Sequence, residues 1–158
     1  MDKVKLFNDI KLTKEEKNRS NDYNYNMLVD FGNSTLFFNK YRAVWITETI
    51  TKTEKDKINK NTIEIKYDAK IVNTLKDCFY KPDKTVYVKL SDFQEIETGI
   101  LEINIEKFSI SIFAYKNYIE PIKKYFSDAV TLQFYKETNG IVLNDNGNSY
   151  LFFPIRRN

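Results

Sequence analysis

Thr62-Ile63-Glu64-Ile65-Lys66-Tyr67-Asp68-Ala69-Lys70-Ile71-Val72-Asn73-Thr74-Leu75-Lys76-Asp77-Cys78-Phe79 is the stretch on which the fold is read, because its pattern recurs later in the chain. At an offset of 47 residues, Ile63 and Ile65 fall on Ile110 and Ile112, Ile71 and Val72 on Tyr118 and Ile119, Leu75 on Ile122, Lys76 on Lys123, and Phe79 on Phe126. After a three-residue deletion the register resumes, with Val86, Val88 and Leu90 on Val130, Leu132 and Phe134. Recurrence at a fixed spacing marks one supersecondary unit used twice. Each copy reads as an alternating strand, a helix and a second alternating strand.

In the first copy Val72, Leu75 and Phe79 stand at helical spacing and Asp68 is placed to cap the helix. In the second, Tyr115, Ile119, Ile122 and Phe126 form the apolar stripe, and Pro121 inside it predicts a kink or a delayed start. Further strands follow each copy: Glu95 to Ile105 in the first, Gly140 to Leu143 and Ser149 to Ile155 in the second, the last two joined by a turn over Asn144 to Asn148. The predicted fold is therefore α+β, a duplicated β-α-β-β-β unit over residues 62–106 and 107–158, with its helices on one face of antiparallel sheets.

Outward from the repeat, residues 51–61 are charged and nearly free of apolar side chains, which predicts an exposed linker and the best internal boundary. Residues 27–50 read as a hairpin about Gly32-Asn33-Ser34 followed by a third strand from Tyr41 to Ile50. Residues 1–26 divide into an imperfectly alternating strand, 4–12, and a polar loop, 13–26.

Composition bounds the chemistry. With 42% hydrophobic residues, 12 Phe and 11 Tyr, the chain has enough apolar surface to offset the entropy of folding despite 30% charge. It has no histidine and a single cysteine, so His-based acid/base catalysis, Ser-His or Cys-His pairs and Cys/His zinc sites are absent. Four scattered glycines form no phosphate-binding loop. No cofactor and no metal site is expected; 22 Asp and Glu keep a Mg²⁺ site compositionally open, but no pair is singled out by spacing. Cys78, with no base available to it, reads as an inert helix residue. The lone thiol, the absence of a long apolar run and an N-terminus without a signal-peptide core predict a soluble cytoplasmic protein with no membrane contact. A net charge of +3 is explained by solubility alone. Trp45 reads as core or interface, and Arg156-Arg157 as a solubilising tail or a phosphate contact.

Three stretches resemble the bacterial DNA sliding clamp (DNA polymerase III β subunit) family, chiefly its C-terminal domain. Phe113 to Phe126 followed by Ser127 to Phe134 is similar to that family's helix and following strand, Asn148-Ser149-Tyr150-Leu151-Phe152-Phe153-Pro154-Ile155-Arg156 to its closing strand, and Thr35 to Val44 to an earlier strand pair. The resemblance covers residues 108–156 best and 27–105 more weakly. It implies a non-enzymatic replication accessory protein, a processivity factor of the host or of a phage or other mobile element, assembled as a homo-oligomeric ring. It further implies double-stranded DNA held through its backbone by Lys70, Lys76, Lys116, Lys123 and Lys124, and a cleft for a polymerase-type partner's peptide walled by Leu151, Phe152, Phe153, Pro154 and Ile155. The family's chains carry three such domains, whereas this chain has room for about one. The alternative is a single-domain interaction protein that acts as a decoy or inhibitor of replication partners without forming a ring.

Overall fold

In a computed structural model, which describes residues 1–19, 24–58 and 62–157, the chain is mixed α+β, with eleven strands in two sheets and five α-helices among those residues. The N-terminal arm holds α1 (Lys3–Asp9) and α2 (Lys14–Asn18). β1 (Asn26–Asp30), β2 (Thr35–Phe38) and β3 (Arg42–Ile46) form an antiparallel meander, turned first at Gly32, whose φ of +87° suits glycine. After α3 (Lys52–Lys57), β4 (Thr62–Ile65) returns to lie parallel to β1. Then follow α4 (Lys70–Tyr80), β5 (Lys84–Lys89), β6 (Gln94–Glu97), β7 (Ile100–Ile105), β8 (Ile110–Tyr115), α5 (Lys116–Ile119), β9 (Ala129–Phe134), β10 (Ile141–Asp145) and β11 (Asn148–Phe152).

The large sheet runs β4-β1-β2-β3-β11-β10-β9-β5, and the small one β6-β7-β8. Successive side chains of a strand point to opposite faces, so the large sheet feeds two cores. Leu36, Phe38, Ala43, Val142 and Leu151 meet Val72, Leu75 and Phe79 of α4 on one face. On the other, Phe37, Val44, Leu143, Tyr150 and Phe152 meet α1, α5 and the small sheet. Helices therefore cover both faces, not the single face expected. A strand buried on both sides, such as β2 with all four residues buried, is what demands the second layer.

The order strand, helix, three strands does occur twice, as β4-α4-β5-β6-β7 and β8-α5-β9-β10-β11. The sheet partners differ, however. β4 lies parallel to β1 in the large sheet, while β8 pairs antiparallel with β7 in the small one. β9, β10 and β11 form a meander, whereas β5 leaves β6 and β7 and pairs with β9. In the repeat's helices the stripe Val72, Leu75, Phe79 is buried as expected, but the cap is Ala69 and not Asp68. Pro121 ends α5 after one turn and a 3-10 turn over Ile122–Lys124 carries the stripe on to Phe126.

Two local expectations are corrected. Residues 4–12, expected as a strand, begin as helix α1, which buries Leu6, Phe7 and Ile10, with the Phe7 ring stacked on Phe37 at 4.9 Å. Both charged segments expected to lack structure contain helices that open on a capping box, Thr13 with Glu16 and Thr51 with Glu54. Within them residues 20–23 and 59–61 lie outside the described residues, as does Asn158.

A buried ion pair fastens the arm to the sheet. Arg42 Nη1 donates to Glu16 Oε2 at 2.6 Å and Nη2 to Glu16 Oε1 at 2.9 Å, with both side chains 1% exposed. Nη2 also donates to the Lys11 carbonyl at 2.5 Å. Beside it, Asn39 Nδ2 donates to the Ile10 carbonyl and the Leu12 N–H donates to Asn26 Oδ1, so three consecutive arm residues are held by buried side chains of the sheet. Arg42 Nε and Asn26 Nδ2 find no partner among the described residues, which sets a cost against this clasp.

Burial alone pushes the Glu16 carboxyl upward, but the Arg42 hydrogen bonds and charge, the Thr13 N–H and Arg19 together hold it below the usual carboxylate range. A carboxyl lowered on folding gives stability that is full above its unfolded value and is lost as pH falls through the folded one. Urea unfolding of the wild type should therefore weaken progressively below about pH 4.5, and Glu16→Gln should flatten that acid limb. Arg42→Met, which strands a buried carboxylate, should cost about 3–5 kcal/mol at neutral pH. An Arg42→Met midpoint equal to wild type would show that the arm is held by its apolar contacts alone.

Candidate apolar groove

α4 lies on the large sheet through Val72, Leu75 and Phe79, and the residues on one flank of that stripe, Ile71, Thr74 and Cys78, are left at its edge. Opposite them stand Met27 at the start of β1, Phe38 at the end of β2, and Phe153 just beyond β11. The result is an open groove of about 280 Å³ between helix and sheet, floored by Leu75. Its size lies at or just below the roughly 300 Å³ at which small-molecule pockets begin, which suits a side chain or two. Ile71 is 40% exposed and Phe153 39%, so the apolar walls face solvent.

Gly140 makes Phe153's position possible. A Cβ there would stand 2.8 Å from Leu151 Cδ1 and 3.4 Å from the Phe153 ring, so any other residue would push on the groove wall. Among the described residues no carboxylate lines the groove, and Lys40 stands at its rim with Asn39 and Thr74. Lys40 Nζ lies over the Tyr41 ring and donates to Asn24 Oδ1 at 3.2 Å. The thiol of Cys78 faces this groove and is pushed up from its ordinary pKa, first by burial and then by the charge of Asp77.

The five residues expected as one cleft wall are distributed by the strand's alternation. Leu151 is buried under α4 and Phe152 in the opposite core, leaving Phe153 as the member that lines the groove. Pro154 and Ile155 turn away, and the Ile155 N–H donates to the Phe113 carbonyl of the small sheet at 2.8 Å. Met27, Phe38, Ile71 and Cys78 are groove residues that the sequence did not assign to a binding site. Ile71 alone carried a signal, as an apolar residue just off the buried stripe.

The five lysines expected to face DNA are not brought together. Lys70 and Lys76 ride on α4, whereas Lys116, Lys123 and Lys124 belong to the segment packed on the other face of the large sheet. Lys76 stands over the Phe31 ring at 4.8 Å. Lys116 pairs with Glu95 at 3.1 Å, Lys123 with Glu120 at 3.0 Å, and Lys124 approaches Asp9 at 4.0 Å. Arg157, read as part of a tail, pairs with Glu97 and covers the Phe113 ring. Trp45 lies at the rim of the α4-side core, donating to Ser34 Oγ at 3.1 Å.

Among the described residues no three His, Cys, Asp or Glu side chains gather as a metal-binding group, and no helix is long and apolar enough to cross a membrane. Comparison of the chain with protein-family models, with curated proteins and with solved structures found no match.

As the only cysteine, Cys78 reports on the groove directly. A raised thiol pKa means less thiolate at neutral pH. Alkylation by iodoacetamide should run more slowly than for a free thiol at pH 7.5 and accelerate steadily above pH 9. A rate equal to that of free cysteine at pH 7.5 would contradict the buried setting described.

Proposed function

We propose that the chain is a non-enzymatic interaction protein whose groove between α4 and the sheet takes a short peptide of a partner, anchored by one or two apolar side chains and carrying a carboxylate near Lys40. The observation that supports this reading most is the groove itself, apolar on both walls, solvent-facing, lined by no carboxylate among the described residues and bordered by a lysine. Preformed grooves of this kind gain affinity from a few buried anchors and specificity from polar groups at the rim.

The resemblance to sliding clamps adds a class of partner, namely polymerase-type replication proteins that carry short clamp-binding motifs. Of the two readings drawn from the sequence, the single-chain interaction protein accords with the lysines lying on separate faces, three of them beside carboxylates. A ring-forming processivity factor would gain more from one continuous basic surface.

Panning a random peptide library on the folded protein tests the proposal. Selected peptides should share large apolar residues and an acidic residue or a free C-terminus, and should slow alkylation of Cys78. Ile71→Asp, which puts a like charge on an exposed wall without touching the core, should weaken them at least tenfold while leaving the unfolding midpoint within about 0.5 kcal/mol of wild type. Peptides that bind Ile71→Asp as tightly, or that leave Cys78 unprotected, would place the interaction elsewhere.

A further inference from the structure

On the α4 side of the large sheet, coverage stops short of β9 and β5: neither strand contributes a residue to the core beneath α4. Val86 and Val88, and Val130, Leu132 and Phe134, all turn to the opposite core, so Thr85, Tyr87, Thr131 and Gln133 face the α4 side. A cross-strand row runs from Trp45 through Ser149, Asn144 and Thr131 to Tyr87, each residue paired in register with the next. Four interstrand steps make a strip of about 19 Å. Its middle is polar and linked, with Ser149 Oγ donating to Asn144 Oδ1 at 2.6 Å and Asn144 Nδ2 to Gln133 Oε1 at 2.6 Å.

Aromatic rings border this strip. Tyr80, at the end of α4, is 73% exposed and meets the Trp45 ring edge-on at 6.2 Å; Tyr87 is 86% exposed. Tyr135, just past β9, carries three ammonium groups round one ring: Lys81 at 5.2 Å, Lys136 at 5.6 Å, and Lys84 at 5.4 Å from its centroid, the last reaching round the strand end from the opposite face, where it also lies over the Phe134 ring and donates to the Tyr135 carbonyl at 2.9 Å. Asp83, 3.5 Å from Lys84, and Glu137 in the next position after Lys136 offset part of that charge. Three cations gathered on an exposed ring still repel one another, and a phosphate between them would relieve the repulsion. Burial gives no account of rings this exposed, since Tyr80 and Tyr87 leave most of their surface in water.

We propose that this uncovered sheet face is a binding site for single-stranded nucleic acid, in which Tyr87, Tyr135 and Tyr80 stack on bases, Asn144 and Gln133 meet base edges, and Lys81, Lys84 and Lys136 hold the phosphates. Stacking on exposed rings requires unpaired bases, while ammonium groups among them answer the backbone charge. An acidic peptide would use the lysines and leave the rings idle. The site is distinct from the groove and from Lys116, Lys123 and Lys124 on the opposite face, and it stands without either.

Fluorescence anisotropy with a short labelled oligothymidylate, titrated over a range of salt, tests it. The single strand should bind more tightly than its duplex, and more weakly as salt rises. Tyr87→Ala and Tyr135→Ala should each weaken binding about tenfold, Tyr87→Phe should keep it, and Lys84→Ala should reduce the slope against log salt by about 0.7. All three positions are exposed or at the surface, so the four variants should keep the wild-type circular dichroism. Duplex binding as tight as the single strand, polyglutamate binding that competes fully and ignores the tyrosine variants, or no binding at low salt would each overturn the assignment.

Discussion

The arrangement rests on a guanidinium taken out of water. Arg42 opens β3 at the centre of the large sheet, and its charge is met only because the arm brings Glu16 and the Lys11 carbonyl to it. A lone buried cation there would be strongly unfavourable, so the folded sheet and the docked arm require one another. The thirteen-residue separation of Asn26 and Asn39 is closed by the same clasp: both amides turn inward, bond each other at 3.2 Å, and take the arm's main chain at Ile10 and Leu12. Once fixed, the arm lays Leu6, Phe7 and Ile10 over Phe37 and completes the core on that face. Full burial of each such side chain contributes about 1.5–3 kcal/mol, enough together to offset the desolvation of the pair.

That closure decides which surface is left for binding. Among the described residues the arm, α5 and the small sheet cover one face of the large sheet, while α4 alone covers the other and leaves β9 and β5 open. The groove and the aromatic strip are both consequences of one helix being too narrow for an eight-stranded sheet. Phe153 at one side of α4 and Trp45 at the other mark the two margins where coverage ends. Function is thus proposed where burial is incomplete, and titratable groups inside are moved away from neutrality: Glu16 downward through Arg42 against the opposing effect of burial, Cys78 upward through burial, and Tyr118 up to about 12 through burial first and the nearby Glu16 charge second.

Local patterns were legible where one face of an element is buried. The stripe Val72, Leu75, Phe79, the hairpin at Gly32 and the break at Pro121 were readable from spacing and residue type. The arm was misread because Val4, Leu6 and Ile10 mimic alternation, although Leu6, Phe7 and Ile10 also sit on one helical face. The two capping boxes were visible as Thr-x-x-Glu at Thr13 and Thr51, a stronger signal than the surrounding charge. The two-faced sheet was not legible, since the pairings of β4 with β1 and of β3 with β11 join residues far apart in the chain. For the same reason the C-terminal run looked like one wall: alternation says that Leu151 and Phe152 part company, but only the sheet's neighbours say which of them meets α4.

The most direct measurement is a map of backbone amide chemical shifts on titrating the isotope-labelled protein with oligothymidylate. Changes concentrated in β5, in β9 and its sequel through Glu137, and at the C-terminal end of α4 are the predicted result, with the arm and α5 silent. Changes centred on Lys116, Lys123 and Lys124, or spread evenly over every exposed lysine, would contradict the claim that the open α4-side face is the binding surface.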